Sequence, residues 1–458
     1  MAELGIRLVG DGAPVPCVDG VEKPYLSLDA AASTPALPAV AARVADFLPS
    51  YSSVHRGAGW KSQLSTAEYE EARGAALDFA GRRDGDDVAI ICRNTTEAIN
   101  HLAYRLQLEP TDVVLTTVVE HHANLLPWGR VARRRYVECG PDGLFSVDDM
   151  RQALDVSPSP RVLAITGASN VTGWVPPVED IIDEAHARGV MVLVDGAQLA
   201  PHRPLPVHAD FVAWSGHKMY APFGASVLVG PRRAFEHGDP FLAGGGAVDL
   251  VDLDEVIWTD PPEREEAGSP NVIGAVALHA AIDALQGLGW DAIRDHDDAL
   301  ASRLRSGLEA IDGVRLLGSP GPESLPVATF VLEGTPHALV AARLSAEFGI
   351  GVRHGCFCAH PYLLRLLDLD APAVAAYRAA VLRGDRTEMP GAVRASAGLS
   401  TTTEDVERFL GAMARIAVGE PSPVEYEQDP HTGDYWPSTA EGPWSAARRR
   451  LGAGCARG

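Results

Sequence analysis

Lysine is nearly absent from this chain. Only Lys23, Lys61 and Lys218 occur, and the rest of the 39 basic residues are arginines. Positive charge is also short overall, and the formal net charge is −22. An acidic chain of this kind lacks the basic patches that hold nucleic acid or an anionic membrane, so neither is expected as a partner. A small anionic ligand in one local pocket is not excluded. Cysteine is scarce, six in 458 residues. That is too few for a disulfide framework, and a reduced, cytoplasmic compartment is the expectation. No apolar run reaches the roughly 18 residues a membrane span needs. The opening MAELGIRLVGDGAPVPCVDG has no basic stretch ahead of an apolar core, so no signal peptide is expected.

What remains is ordinary for a globular chain long enough for two domains: 46% hydrophobic and 22% charged residues. There is no internal repeat. Between about residues 85 and 230, apolar runs alternate with helical stretches. The runs are DDVAIICR, TDVVLTTVV, RVLAITG, GVMVLVD, DFVAWS and ASVLVG. Near-continuous apolar strands predict a mainly parallel sheet covered on both faces. TEAINHLAYRL and VEDIIDEAHARG supply crossover helices, giving an α/β fold. In such sheets ligands bind beyond the carboxyl ends of the strands. A long helix is expected over 271–289, and LPVATFVLEG marks a strand in a smaller α+β domain. The expected division is an N-terminal arm over 1–25 lying with the small domain, a large domain over 26–289, a small domain over 290–417 and a tail over 418–458. The tail is polar and rich in proline and glycine, and its aromatic residues allow it to pack on the body as a lid.

Lys218 stands in SGHKMYAPFG, directly after an apolar strand. Arginine stays charged, whereas a lysine in a suitable pocket loses its proton and forms a Schiff base. Asp195 closes the strand VMVLVDGAQ, where it is either a turn residue or the partner of a cationic ring nitrogen. RNTTEAIN puts Asn94, Thr95 and Thr96 at a helix N-terminus, which suits either capping or an anion. EHHANLLPW follows another strand with His121 and His122, residues able to stack or relay a proton. RHGCFCAHP holds Cys356 and Cys358 beside Arg353. Its thiols are nucleophilic, inert, a labile disulfide or half of a metal site; no second cysteine cluster supports a metal.

The ordered set of these segments resembles class V aminotransferases of the pyridoxal phosphate-dependent fold type I, most of all the cysteine desulfurase and selenocysteine lyase branch. LSLDAAASTP is similar to the family's LDNAATTP, with Ala30 in place of asparagine. SSVHRGAGWKSQLS is similar to its HRGxHxLS segment without the second histidine. NTTEAIN, EHHANLLPW, SNVTG, VDGAQ, SGHKMYAPFG, AGSPN, RHGCFCAHP and VRASAGLSTTTEDV follow in family order over about residues 25–415. The cysteine loop departs from the usual RTGHHCAxP at His354, Cys356 and Phe357.

The resemblance implies pyridoxal 5'-phosphate on Lys218, Asp195 on its ring nitrogen, Gln198 on its phenolic oxygen and His121 stacked on the ring. It implies phosphate contacts from Thr95, Thr96, Ser215 and His217, and from Ser269 across a homodimer. Asn170 and Arg394 match substrate-holding positions, with Arg394 on the carboxylate and Arg353 beside it. Cys358 matches the persulfide cysteine. Lys218 then takes the α-proton of L-cysteine or a similar amino acid. Cys358 takes its sulfur, alanine forms, and the sulfur passes to an acceptor protein or small thiol. Cys356 is a candidate to receive that sulfur or to pair with Cys358. The alternatives are a C–S or C–Se lyase, an aminotransferase or epimerase of specialised metabolism, and a fold-retaining protein without turnover.

Overall fold

The computed structural model describes residues 4–82, 85–439 and 442–455. Its centre is a seven-stranded sheet. The strands are β1 (Asp87–Cys92), β2 (Val113–Thr117), β3 (Arg133–Val137), β4 (Val162–Thr166), β5 (Met191–Asp195), β6 (Phe211–Ser215) and β7 (Ser226–Pro231). They lie in the order β1-β7-β6-β5-β4-β2-β3. The neighbours from β6 through β5, β4 and β2 to β3 pair in parallel. β7 alone runs against both of its neighbours.

The continuous apolar runs have a direct cause. Leu163 and Ile165 of β4 join one core, and Val162 and Ala164 join the core on the other face. β5 divides the same way, with Val192 and Val194 on one side and Leu193 on the other. Alternate side chains thus enter two apolar layers, so both must be hydrophobic. All six strands expected from the sequence form. The seventh, β3, reads RRRYV and lies at the sheet edge, where arginines reach solvent and mask the strand signal.

Helix α1 (Thr95–Arg105) leaves β1 through Asn94, whose side-chain oxygen accepts the Glu97 N–H at 2.9 Å. That cap explains why the helix starts there. Helix α2 (Val272–Leu288) is buried along most of its length against helices Pro38–Phe47 and Trp60–Phe79. Among the described residues, no single helix is long and apolar enough to cross a membrane.

A second sheet holds β8 (Val314–Leu316), β9 (Val327–Leu332), β10 (Arg353–Gly355) and β11 (Ala392–Ser396), antiparallel in the order β8-β9-β11-β10. Its own core gathers Leu304, Phe330, Leu344, Val393 and Phe409. Leu26 and Leu28 pack in that core, and strand Leu26–Ser27 pairs in parallel with Ile350–Gly351. Val18 of the preceding arm donates to the Ala346 carbonyl at 2.8 Å.

The polar tail is folded. Strands β12 (Tyr426–Gln428) and β13 (Tyr435–Pro437) form an antiparallel hairpin, followed by a helix over Pro443–Cys455. Tyr426 donates to Glu347 at 3.2 Å and the Trp444 indole donates to the Pro16 carbonyl at 3.1 Å. Aromatic rings with one polar atom each therefore fasten a segment that has little apolar content.

Candidate active site

The carboxyl ends of β1, β2, β4, β5 and β6 converge on one edge of the large sheet. Each delivers a polar residue there: Thr95 after β1, His121 after β2, Asn170 after β4, Asp195 closing β5, and Ser215 and Lys218 at the end of β6. Together with loops of the small sheet they line a cavity of about 850 Å³. Thr96, Gln198, His217, Arg353, Arg394 and Cys358 line it as well. Ser269 does not; it is exposed outside the cavity.

Lys218 ends a single 3-10 turn, Gly216–Lys218. Burial pushes its ammonium down to about 8; Asp195 opposes that shift and Arg394 adds to it. Cys358 is also among the groups whose charge acts on Lys218, so the two nucleophiles share one electrostatic environment. Asp195 is buried, and burial raises its pKa against the hydrogen bond it accepts from the Ala197 N–H at 3.0 Å. A carboxylate so placed strongly favours a cationic neighbour. Gln198 is anchored by donating to the Ala31 carbonyl at 2.7 Å.

The amino end of α1 is tied across to β6. The Thr95 N–H donates to Ser215 Oγ at 2.9 Å, and the two hydroxyls lie 2.6 Å apart. With Thr96 and His217 beside them they form a polar pocket at a helix N-terminus, where the dipole favours an anion. Burial lowers the His217 pKa to about 4 and that of His121 to about 3, so both rings are neutral near pH 7. The His121 Nδ1 accepts from the Ala123 N–H at 3.1 Å, which fixes its tautomer. Glu120 before it is fully buried between Thr117 and Asn124, and burial raises its pKa to about 8.

The small sheet supplies the opposite side. Arg394 of β11 is buried and donates to the Asn170 carbonyl at 2.8 Å and to Asp29 at 3.1 Å. Its Nε is buried without a hydrogen-bond partner. An orphaned guanidinium N–H in a cavity is a donor waiting for a ligand acceptor. Arg353 of β10 is half exposed and lies 3.4 Å from Asp29. Asn170 links the two sides, because its amide also donates to the Phe357 carbonyl at 2.8 Å. Cys358 is exposed and Cys356 is half-buried, both as free thiols.

The sequence did not reveal the outer wall. Tyr377 and residues 386–390 line the cavity, as do Gln428, Thr432 and Gly433 of the tail hairpin. The wall is knit by Gln428 donating to the Thr387 carbonyl at 2.8 Å and Arg386 N–H to the Pro430 carbonyl at 2.9 Å. His354 and Asp434 are 3.3 Å apart, which joins the hairpin to the strand leading into the cysteine loop. The only sequence signal for this was the tail's aromatic content.

The class-V aminotransferase family model matches residues 26–409, so the tail hairpin lies beyond it. A probable cysteine desulfurase of Halobacterium salinarum is 34% identical over 407 residues, covering 86% of this chain and 91% of that protein. The apo structure of a cysteine desulfurase from Thermococcus onnurineus superposes with a TM-score of 0.76 at 30% identity, covering 86% of this chain and 95% of the other. A cysteine desulfurase structure from Escherichia coli gives 0.72 at 31% identity, with 85% and 94% covered. Family match, relatives and strand-end geometry agree: this chain belongs to the class-V aminotransferases.

Proposed function

We propose that the protein is a pyridoxal 5'-phosphate-dependent cysteine desulfurase, converting L-cysteine to L-alanine with the sulfur held on Cys358. The observation that carries this reading is one cavity holding both a buried Lys218, its pKa lowered by burial, with buried Asp195, and a free thiol at Cys358. The names of the relatives support it.

The residues present fit the cofactor. Asp195 is a buried acceptor suited to a protonated ring nitrogen, and Thr95, Thr96, Ser215 and His217 suit its phosphate. Gln198 would bond the phenolic oxygen and His121 would stack on the ring. When bound, the cofactor supplies an electron sink for the substrate carbon skeleton. The remaining steps belong to the chain. The Arg394 guanidinium, with its free Nε–H, takes the substrate carboxylate, and Asn170 and Arg353 stand beside it. Lys218 Nζ, neutral in an appreciable fraction near pH 8, accepts the α-proton. The Cys358 sulfur attacks the substrate sulfur; an S–S bond forms and the substrate C–S bond breaks. Its electron pair stays with the carbon skeleton, which gains a proton and leaves as alanine. The net change is L-cysteine plus the Cys358 thiol giving L-alanine plus a Cys358 persulfide. The sulfur then passes to an acceptor protein or small thiol. Ser269, exposed outside its own cavity, suits the phosphate of a second copy in a homodimer.

Incubation with L-cysteine, with alanine and sulfide quantified beside the Cys358→Ala variant, tests this. Alanine from the wild type that is lost in the variant is expected. Equal product from both, or pyruvate in place of alanine, would make the protein a lyase. No product from either would move it to an aminotransferase or epimerase.

A further inference from the structure

Cys356 has no part in the reaction above, yet it lines the same cavity as Cys358. The two stand on a tight turn: the Ala359 N–H donates to the Cys356 carbonyl at 2.9 Å, closing residues 356–359. Its central residues, Phe357 and Cys358, both have φ of 54°. Two positive values in succession belong to a turn normally built from asparagine and glycine. Side chains held there are strained and persist only when the surroundings impose them.

The surroundings do impose them. The Phe357 carbonyl accepts from Asn170, and the Cys358 carbonyl accepts from the His122 N–H at 2.7 Å. The Phe357 ring is buried under the Arg394 guanidinium, 5.1 Å from its centroid. Strain is thus retained at a loop that a relaxed sequence would not need, and its geometric effect is to turn the chain back on itself over residues 356–359. The Cys358 backbone partly offsets the rise that burial imposes on the Cys356 thiol, so the two residues are electrostatically coupled. Even fully extended, residues two apart are at most about 7.6 Å apart at Cα. In a turn the spacing falls into the roughly 4.4–6.8 Å that a disulfide spans.

We propose that Cys356 is a second reactive residue, the resolving thiol that attacks the Cys358 persulfide and closes a Cys356–Cys358 disulfide with release of hydrogen sulfide. This rests on the desulfurase reading, which supplies the persulfide. The Cys356 sulfur bonds to the inner sulfur of the persulfide, and the outer S–S bond breaks. Hydrosulfide leaves with the electron pair and takes the proton that Cys356 gives up. The outer sulfur is reduced and the Cys356 sulfur is oxidised, the Cys358 sulfur keeping its oxidation level, so no external oxidant enters. Burial raises the Cys356 thiol's pKa and so favours its protonated form at rest. The product state lacks a thiol at residue 358 and is inactive until a reductant reopens it. Sulfur that finds no acceptor therefore leaves as sulfide, and turnover stops.

The test loads cofactor-bound protein with one equivalent of L-cysteine, without added thiol. Alkylation and mass spectrometry of the loop peptide then follow persulfide and disulfide in time, with sulfide measured alongside. Wild type should lose its persulfide to a linked Cys356–Cys358 species with equimolar sulfide, and regain activity with dithiothreitol. Cys356→Ser, and Cys356→Ala as a check on folding, should form alanine at the same initial rate. Their persulfide should last more than about tenfold longer, because an adjacent thiol has a high effective concentration. Equal persulfide lifetimes in wild type and variants, with residues 356 and 358 never linked, would overturn the inference while leaving the desulfurase intact. If neither wild type nor variant forms alanine or persulfide, the desulfurase reading fails and this inference with it.

Discussion

The two ends of the cavity are built differently. At the lysine end, functional groups sit where β-strands of a doubly covered sheet stop, with Asp195 and Ser215 buried and Thr95 locked to Ser215. At the cysteine end, they sit on a turn at positive φ, with Cys358 exposed and a wall contributed by a hairpin outside the family match. The first end can hold a permanent group in one pose, because a strand end in a packed core has nowhere to move. The second end must admit a substrate, give up sulfur and meet an acceptor. Its polar contacts lie nearer solvent, where each is individually weak. The comparison therefore separates a part that fixes the chemistry from a part that exchanges ligands.

The largest break of this contrast is Lys218→Arg. The guanidinium cannot give up its proton, so alanine formation should fall by at least about 10⁴-fold while the circular dichroism stays native. Retained turnover would remove the lysine from the chemistry. Arg394→Lys comes next. It loses the forked contact to a carboxylate, and at 1.5–3 kcal/mol KM for L-cysteine should rise about 10- to 150-fold with the cofactor still bound. A change in kcat alone would place Arg394 away from the carboxylate. The third concerns pH. Lys218 adds to an aldehyde only as the neutral amine, and burial has brought its pKa to about 8. Uptake of pyridoxal phosphate by the cofactor-free protein should therefore rise through about pH 8 and level off above it. Asp195 raises that pKa, so Asp195→Asn should move the midpoint to lower pH. A midpoint unmoved by the substitution would uncouple the pair.

The same contrast explains what could be read in the chain. Lys218, Asp195, Thr95 and His121 were legible because each follows an apolar run within a few residues, and strand ends in an α/β sheet are where ligands bind. The other six strands of the large sheet were legible from their apolar runs, and β3 was not because its side chains are mostly arginine. The outer wall was hidden because it depends on pairings across long stretches of chain: Gln428 with Thr387, Arg386 with Pro430, Asp434 with His354. No local periodicity encodes such contacts, and the tail's aromatic residues allowed it to pack as a lid without saying where it docks. The neutral state of His121 was likewise illegible, since it comes from burial that only the fold provides.

The smallest expected effect tests whether the hairpin belongs to the site at all. His354 and Asp434 are 3.3 Å apart, with 29% and 42% of their side chains exposed. Such a pair stabilises by about 0–1 kcal/mol, so Asp434→Asn should scarcely move the melting temperature. Its effect should appear instead at the cysteine end. His354 lies on β10, whose chain runs straight into the turn carrying Cys358, and the hairpin meets that strand through the His354–Asp434 pair. Loosening it should speed modification of Cys358 by a bulky disulfide reagent by up to about fivefold, the factor that roughly 1 kcal/mol represents. A small reagent already enters the cavity and should react at an unchanged rate, and pyridoxal phosphate uptake at Lys218 should not alter. If both reagents gain equally, the substitution has loosened the turn itself and the hairpin is a brace. If cofactor uptake shifts as well, the two ends are mechanically one, and the division between a fixed end and an exchanging end does not hold.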